Sequence, residues 1–177
     1  PSDTMCLLSM LHSAELTALL RSRGVPVKWV SLPVEGRLVL AIVCLAAQPI
    51  PGLQGRASDL VLGNSSFVRQ LIFVDPDVDS EDLILALTDR TFKANFIRDY
   101  YISPRINKPL GLTENHDYAS ALTSTMYIDA TWRMDRDPDT IPRRITFETC
   151  FPKEVRDKVI STWNEKWQLK PKIWQRD

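Results

Sequence analysis

The stretch Leu38-Val39-Leu40-Ala41-Ile42-Val43-Cys44-Leu45 is continuously apolar. A half-covered strand or a surface helix would break such a run with polar positions, so this segment must be covered on both faces. Extended to Ala47 it is still only about half of the ~20 residues needed to cross a bilayer, so its cover is protein. A strand buried on both faces belongs at the centre of a largely parallel sheet with helices on either side. The expected class is α/β: a single three-layer domain over residues 1–150 with a mainly parallel sheet, then a C-terminal helical arm over residues 151–177.

The flanking segments agree. Asp3 or Thr4 can cap an amphipathic helix whose apolar residues Leu7, Leu8, Leu11, Ala14, Ala18 and Leu19 recur at helical spacing, with Gly24 as the stop. Val27 to Leu32 alternates like a half-covered strand ended by Pro33, and a turn at Glu35-Gly36 leads into the apolar run. Gln54 to Ser66 reads as a helix and Gln70 to Asp75 as the next strand, which makes a βαβ unit. Asp79 or Ser80 then caps a helix whose buried stripe is Leu83, Ile84 and Leu87. From Thr91 to about Ser120, Pro104, Pro109, Asn107 and Gly111 predict a long ordered loop, of the kind that is usually functional. Thr125 to Ala130 returns as a short strand, Arg133 to Arg144 is charged and Pro-rich, and Pro152 opens a last helix through Val155, Val159, Trp163 and Trp167. The tail after Pro171 is expected to be extended.

Composition narrows the function classes. Of the 177 residues 22 are Lys or Arg and 22 are Asp or Glu, which leaves no excess positive charge for a phosphate backbone or an anionic bilayer. Nucleic acid and membrane are not expected partners. Cys6, Cys44 and Cys150 are odd in number and widely spaced, and read as reduced, buried thiols of a cytoplasmic protein. The chain opens at Pro1-Ser2-Asp3 and runs directly into a helix signal, as an excised portion of a longer protein would.

Familiar chemical signatures fail. His12 and His116 have no metal-ligand spacing around them. The cluster Asp75, Asp77, Asp79 and Asp82 would be a calcium loop only with Gly at its sixth position and Glu at its twelfth, and those positions hold Ser80 and Ala86. Turn and helix-cap roles explain these aspartates. No glycine-rich phosphate loop is present, and Ser65, Ser66 and Cys150 have no visible general base. Trp163 and Trp167, four apart on one helix face, have the spacing of a packing stripe.

Two ordered segments carry a family resemblance. Gln70-Leu71-Ile72-Phe73-Val74-Asp75-Pro76-Asp77-Val78-Asp79, with Asp82-Leu83 and Ala86-Leu87-Thr88-Asp89-Arg90, resembles the strand, aspartate turn and helix ending in Thr-Arg of the UbiD decarboxylases. Met126-Tyr127-Ile128-Asp129-Ala130-Thr131 is similar to that family's Met-Gly-Ile-Asp-Ala-Thr motif, with Tyr127 in place of glycine. Arg23-Gly24-Val25-Pro26-Val27 resembles the family's helix-to-strand transition, and Phe151 to Val159 with Trp163 resembles the terminal helix of its ferulic acid decarboxylases. Thr91 and Lys93 replace the Cys and Pro of the family's usual Arg-Cys-x-Pro loop.

The resemblance covers only the C-terminal portion of a full family member. It implies reversible decarboxylation of an aromatic or α,β-unsaturated acid with prenylated FMN, whose phosphate is anchored by a divalent metal, commonly manganese. Those groups and the catalytic residues belong to a preceding flavin-binding domain, so no catalytic, cofactor-binding or metal residue carries over to this chain. What carries over is a substrate-pocket edge at Asn95, Phe96, Ile128 and Thr131, with the flavin-binding domain of the same enzyme and further copies of the protein as partners. The isolated chain is then expected to be inactive. Two alternatives stand beside this reading: a free-standing, non-catalytic assembly or regulatory subunit, and an independent small enzyme using Asp129 or the aspartate cluster.

Overall fold

The structure is a computed structural model and describes residues 2–46, 50–106, 122–132, 137–141 and 147–167. Expectations for His116, for the loop from 107 to 121, for 133–136 and 142–146 and for the tail from 168 lie outside the described residues. Contacts divide the chain into two compact units, Pro1–Arg136 and Asp137–Asp177.

The first unit runs α1 (Asp3–Ser22), β1 (Val27–Ser31), β2 (Leu40–Leu45), α2 (Leu53–Asn64), β3 (Gln70–Val74), α3 (Leu83–Lys93), β4 (Tyr100–Ile106) and β5 (Leu122–Asp129). Its strands form one sheet in the order β1-β2-β3-β5-β4. The middle of the sheet is parallel, β2 with β3 and β3 with β5, while both edges are antiparallel.

Alternation along the central strands sends successive side chains to opposite faces. Ala41, Val43, Leu45, Leu71 and Phe73 pack with Leu16 and Leu20 of α1 and with Leu53, Ala57 and Val61 of α2. Ile42, Cys44, Ile72, Val74 and Ile128 pack on the other face with Ala86 of α3. This is the expected three-layer α/β arrangement, and it explains the unbroken apolar run. Each fully buried aliphatic side chain here contributes roughly 1.5–3 kcal/mol.

Each edge of the sheet is closed differently. One row of α1, Ser9, Ser13, Thr17 and Arg21, is spaced by four residues and lies along β1. Ser13 Oγ accepts from the Leu32 N–H at 2.9 Å and Thr17 Oγ1 from the Val30 N–H at 2.9 Å. Ser9 Oγ donates to the Leu32 carbonyl and Arg21 to those of Val27 and Lys28. The helix thus supplies the hydrogen bonds that a further strand would have made. At the other edge the Asp129 N–H donates to the Asp99 carbonyl at 2.9 Å. Antiparallel alternation then turns the nitrogen of Pro104 outward, where it has no N–H to offer an incoming strand.

Several expectations are corrected. Ser2 rather than Asp3 or Thr4 caps α1, accepting from the Met5 N–H. Leu8 and Leu19 pack on the core, but Leu7, Leu11, Ala14 and Ala18 face outward, because the row against β1 is polar and rotates the helix. Strand β2 begins at Leu40, since Arg37 and Leu38 take left-handed backbone conformations (φ 47° and 66°) in the preceding turn. Asp82 caps α3 through the Leu85 N–H at 2.9 Å, and Ile84 is exposed while Ala86 is buried. The segment expected as a loop from Thr91 holds the end of α3 and all of β4. Pairing with β5 outweighs Pro104 there because the proline sits on an edge. All three cysteines are free thiols, but only Cys44 is buried and Cys150 is exposed.

The second unit carries a 3-10 turn at Pro138–Thr140, α4 (Phe147–Cys150) and α5 (Lys153–Trp167). The Phe147 and Phe151 rings meet at 5.7 Å, and the Pro152 carbonyl accepts the first main-chain bonds of α5 from Val155 and Arg156.

Candidate functional site

Ligands of open α/β sheets bind beyond the carboxyl ends of the parallel strands. Here those ends are Leu45, Val74 and Asp129, and antiparallel pairing brings the start of β1 and the α3–β4 loop to the same edge.

Two polar clusters organise this edge. In the first, Lys93 at the end of α3 reaches Asp75 Oδ2 at 2.6 Å and Asp89 Oδ2 at 2.7 Å. The three side chains are 6%, 15% and 5% exposed, so a buried cation bridges the partly buried Asp75 and the buried Asp89. Asp75 also accepts from the Trp132 N–H at 3.1 Å, and the Lys93 ammonium lies 4.9 Å from the centre of the Trp132 ring. Burial pushes the Asp75 carboxyl above the usual carboxylate range, against the pull of Lys93 and the Trp132 N–H. Asp75, Asp77 and Asp89 place carboxylate oxygens within 4.8 Å of one another, which is close enough for a metal ion. The Lys93 ammonium already supplies the cation to two of them, so this donor set fits lysine and not a metal.

In the second cluster, Asp129 Oδ2 accepts from Gln54 Nε2 of α2 at 2.8 Å, and its Oδ1 accepts from the Thr131 N–H at 3.0 Å and hydroxyl at 2.6 Å. Burial raises the Asp129 carboxyl too, with the Thr131 bonds opposing and the neighbouring Asp99 adding to the rise. The Asp99 carbonyl accepts the Asp129 N–H, which ties the α3–β4 loop to the end of β5. Within that loop Asn95 Oδ1 accepts from the Ile97 N–H at 2.9 Å, and Asp99 Oδ2 accepts from the Asn95 N–H at 2.8 Å.

The four residues of the expected pocket edge all lie at this end. Asn95 and Phe96 sit on the α3–β4 loop, and the Phe96 ring stacks on Tyr100 at 4.9 Å. Tyr100 is the cross-strand partner of Ile128. Ile128 itself is 1% exposed within the α3-side core, and Thr131 is buried beside Asp129. The loop exposes two large apolar side chains, Phe96 at 72% and Ile97 at 96%, between the exposed polar residues Asn95 and Arg98. The bonds of both clusters make the strand ends a rigid base beneath an exposed apolar lip.

Chemically the edge is a platform. Burial pushes the Cys44 thiol up to about 11, so it is a neutral, inert sulfhydryl at pH 7. The Thr131 hydroxyl donates to the Asp129 carboxylate here but is itself buried. Sequence reasoning missed Gln54 and Trp132 altogether, since nothing local marks them. The Asp89–Lys93 pair was findable from its four-residue spacing on a helix.

A separate cavity of about 260 Å³ lies between α2 and the β4–β5 pair, lined by Gly55, Tyr101, Ser103, Thr125 and Tyr127 among others. It includes none of the four pocket-edge residues. Tyr127 stacks on Tyr101 at 4.4 Å and meets Phe73 edge-on at 5.8 Å. Its hydroxyl lies 3.6 Å from where a Cβ on Gly55 would stand. A Cβ there would make an ordinary van der Waals contact with the tyrosine.

No curated protein sequence matches the chain. Solved structures do. HmfF, a UbiD-class enzyme from Pelotomaculum thermopropionicum solved with FMN, superposes with a TM-score of 0.69 at 18% identity over 82% of this chain and 32% of that one. The 3,4-dihydroxybenzoic acid decarboxylase AroY of Klebsiella pneumoniae gives 0.70 at 18% identity over 87% and 33%. The corresponding decarboxylase of Enterobacter cloacae gives 0.68 at 19% identity over 80% and 31%. The likeness is one of fold, and this chain spans about a third of each of those chains. The model of the 3-octaprenyl-4-hydroxybenzoate carboxy-lyase C-terminal domain family, UbiD_C, matches residues 5–130, from within α1 to the end of the Ile128-Asp129-Ala130 segment, and the chain belongs to that family.

Proposed function

We propose that this chain is the C-terminal closing and assembly domain of a UbiD-class carboxy-lyase that reversibly decarboxylates aromatic or α,β-unsaturated acids. The observation that carries the reading is the exposed apolar lip, Phe96 and Ile97, held on a rigid polar base at the carboxyl edge of a UbiD_C sheet. An apolar lip so placed is suited to close over a partner domain and to line one side of a pocket for an aromatic ring.

The partner is the flavin-binding domain of the same enzyme. Prenylated FMN, bound mainly outside this chain, supplies the electron sink, with a divalent metal, manganese, at its phosphate. The residues of this chain position and exclude: Phe96 and Asn95 form the pocket edge, Ile128 backs them through Tyr100, and Thr131 holds Asp129 so that the loop keeps its place. The full enzyme works in the cytoplasm as a homo-oligomer. Among the described residues no helix is long and apolar enough to cross a membrane.

The test takes the natural full-length protein, measures its intact mass and flavin absorbance, and assays carbon dioxide release from a panel of aromatic and unsaturated acids. A longer polypeptide with a modified flavin and activity on such acids is expected, with the 177-residue chain alone inactive. In that enzyme Phe96→Ala should raise KM several-fold more than it lowers kcat. A natural product of this length without flavin overturns the reading and leaves a non-catalytic assembly or regulatory subunit.

A further inference from the structure

The Tyr100 hydroxyl is buried and has no hydrogen-bond partner. Its residue opens β4 across from Ile128 and packs on the α3-side core. Loss of hydration without a replacement bond works against the fold, and a phenylalanine would fill the same space without that cost. A hydroxyl kept in this state calls for a partner from outside the chain.

The cover over this tyrosine is slight. Phe96 stacks on it with ring centres 4.9 Å apart and planes 28° from parallel, yet Phe96 is 72% exposed. The stack therefore buries little of the Phe96 ring. The loop beneath is tied at its base, where the Asn95 N–H donates to Asp99 Oδ2 at 2.8 Å and the Asp99 N–H donates to the Asn95 carbonyl at 2.8 Å. Phe96 can thus swing away by rotation about its own side-chain bonds while the loop keeps its place. What it vacates is an aromatic face with a hydroxyl at the rim.

A flat ring that carries an oxygen suits this space, because the ring replaces the Phe96 stack and the oxygen accepts from the tyrosine. With the reacting carboxylate turned toward a flavin held outside this chain, the part of the acid that meets Tyr100 is the far end of its ring. We propose that Tyr100 is a specificity-determining residue: a planar acid displaces Phe96, and an oxygen substituent at the far end of its ring takes the hydrogen bond that the hydroxyl lacks. Ring-hydroxylated acids are then favoured over unsubstituted ones, which leave the hydroxyl unpaired. The proposal rests on the decarboxylase reading above and adds a substrate class to it.

Two measurements test it. In the chain alone, Tyr100→Phe should raise the melting temperature by about 2 °C or more, since it removes a buried hydroxyl that bonds nothing. In a Phe96→Ala background water reaches the hydroxyl, and the gain from Tyr100→Phe should vanish. A Tyr100→Phe chain no more stable than the native one means that water or a neighbouring group already satisfies the hydroxyl, and overturns the proposal. A gain that persists in Phe96→Ala overturns Phe96 as the displaced cover. In the full-length enzyme, kcat/KM is compared for 4-hydroxybenzoate against benzoate and for 4-hydroxycinnamate against cinnamate. Tyr100→Phe should lower the preference for the hydroxylated acid about fivefold or more, a ratio that a merely structural loss leaves unmoved. Turnover with an unmoved ratio overturns the role of Tyr100 alone, whereas turnover of none of these acids overturns the decarboxylase reading and this proposal with it.

Discussion

Lys93→Met removes the cation from the carboxyl edge while keeping most of its aliphatic stem. Asp75 and Asp89, 15% and 5% exposed, are then left with carboxylates within 4.8 Å of one another. At an effective dielectric constant of ~20 their repulsion at that distance is about 3 kcal/mol. Breaking a buried ion pair from one side costs roughly 3–5 kcal/mol by experience elsewhere, which agrees. The variant should therefore lose about 3–5 kcal/mol at pH 7, read from urea unfolding by tryptophan fluorescence and circular dichroism. The loss should shrink toward pH 5, because Asp75, already raised by burial, then takes up a proton more readily than it does beside Lys93. Replacing all three groups, as in Asp75→Asn/Asp89→Leu/Lys93→Met, should recover most of the stability. A loss below about 1 kcal/mol, or one equal at pH 5 and pH 8, would refute the view that Lys93 compensates two buried charges.

Three further outcomes test the fold and the site. A carboxyl raised in the folded state takes up protons there first, so its contribution to stability falls as pH rises from the unfolded value near ~4 through the folded one. Asp129→Asn should accordingly be nearly neutral at pH 7, yet lose ground to the native protein as pH falls toward 4, measured by unfolding at each pH. Thr17→Val removes the acceptor of the Val30 N–H and should cost about 1–3 kcal/mol, with faster amide exchange at Val30 by NMR. A Cβ on Gly36 would stand 2.8 Å from Leu40 Cβ, so Gly36→Ala should destabilise by about 1–3 kcal/mol in thermal unfolding.

The central architecture was legible in the residues themselves. The apolar run pointed to a strand covered on both faces, and from Leu40 on it is one: β2 lies between β1 and β3 with helices over either face. The strand and aspartate turn at Gln70–Asp75 and the Ile128-Asp129-Ala130-Thr131 segment were visible as motifs, because neighbouring residues carry them. Strand β4 was hidden because its stability comes from pairing with β5 and not from its own composition, which includes Pro104.

Tertiary structure alone decided which face of α1 is inside. Hydropathy marks the stripe from Leu7 to Ala18 as the better candidate, but main-chain groups along β1 need partners, and the row of Ser9, Ser13, Thr17 and Arg21 that meets them turns the stripe outward. It also decided the partners of Asp75 and Asp129, since Trp132 and Gln54 approach them from 57 and 75 residues away. A sequence displays the local preferences of its residues, but hydrogen-bond partners brought together from distant segments exist only once the sheet has assembled.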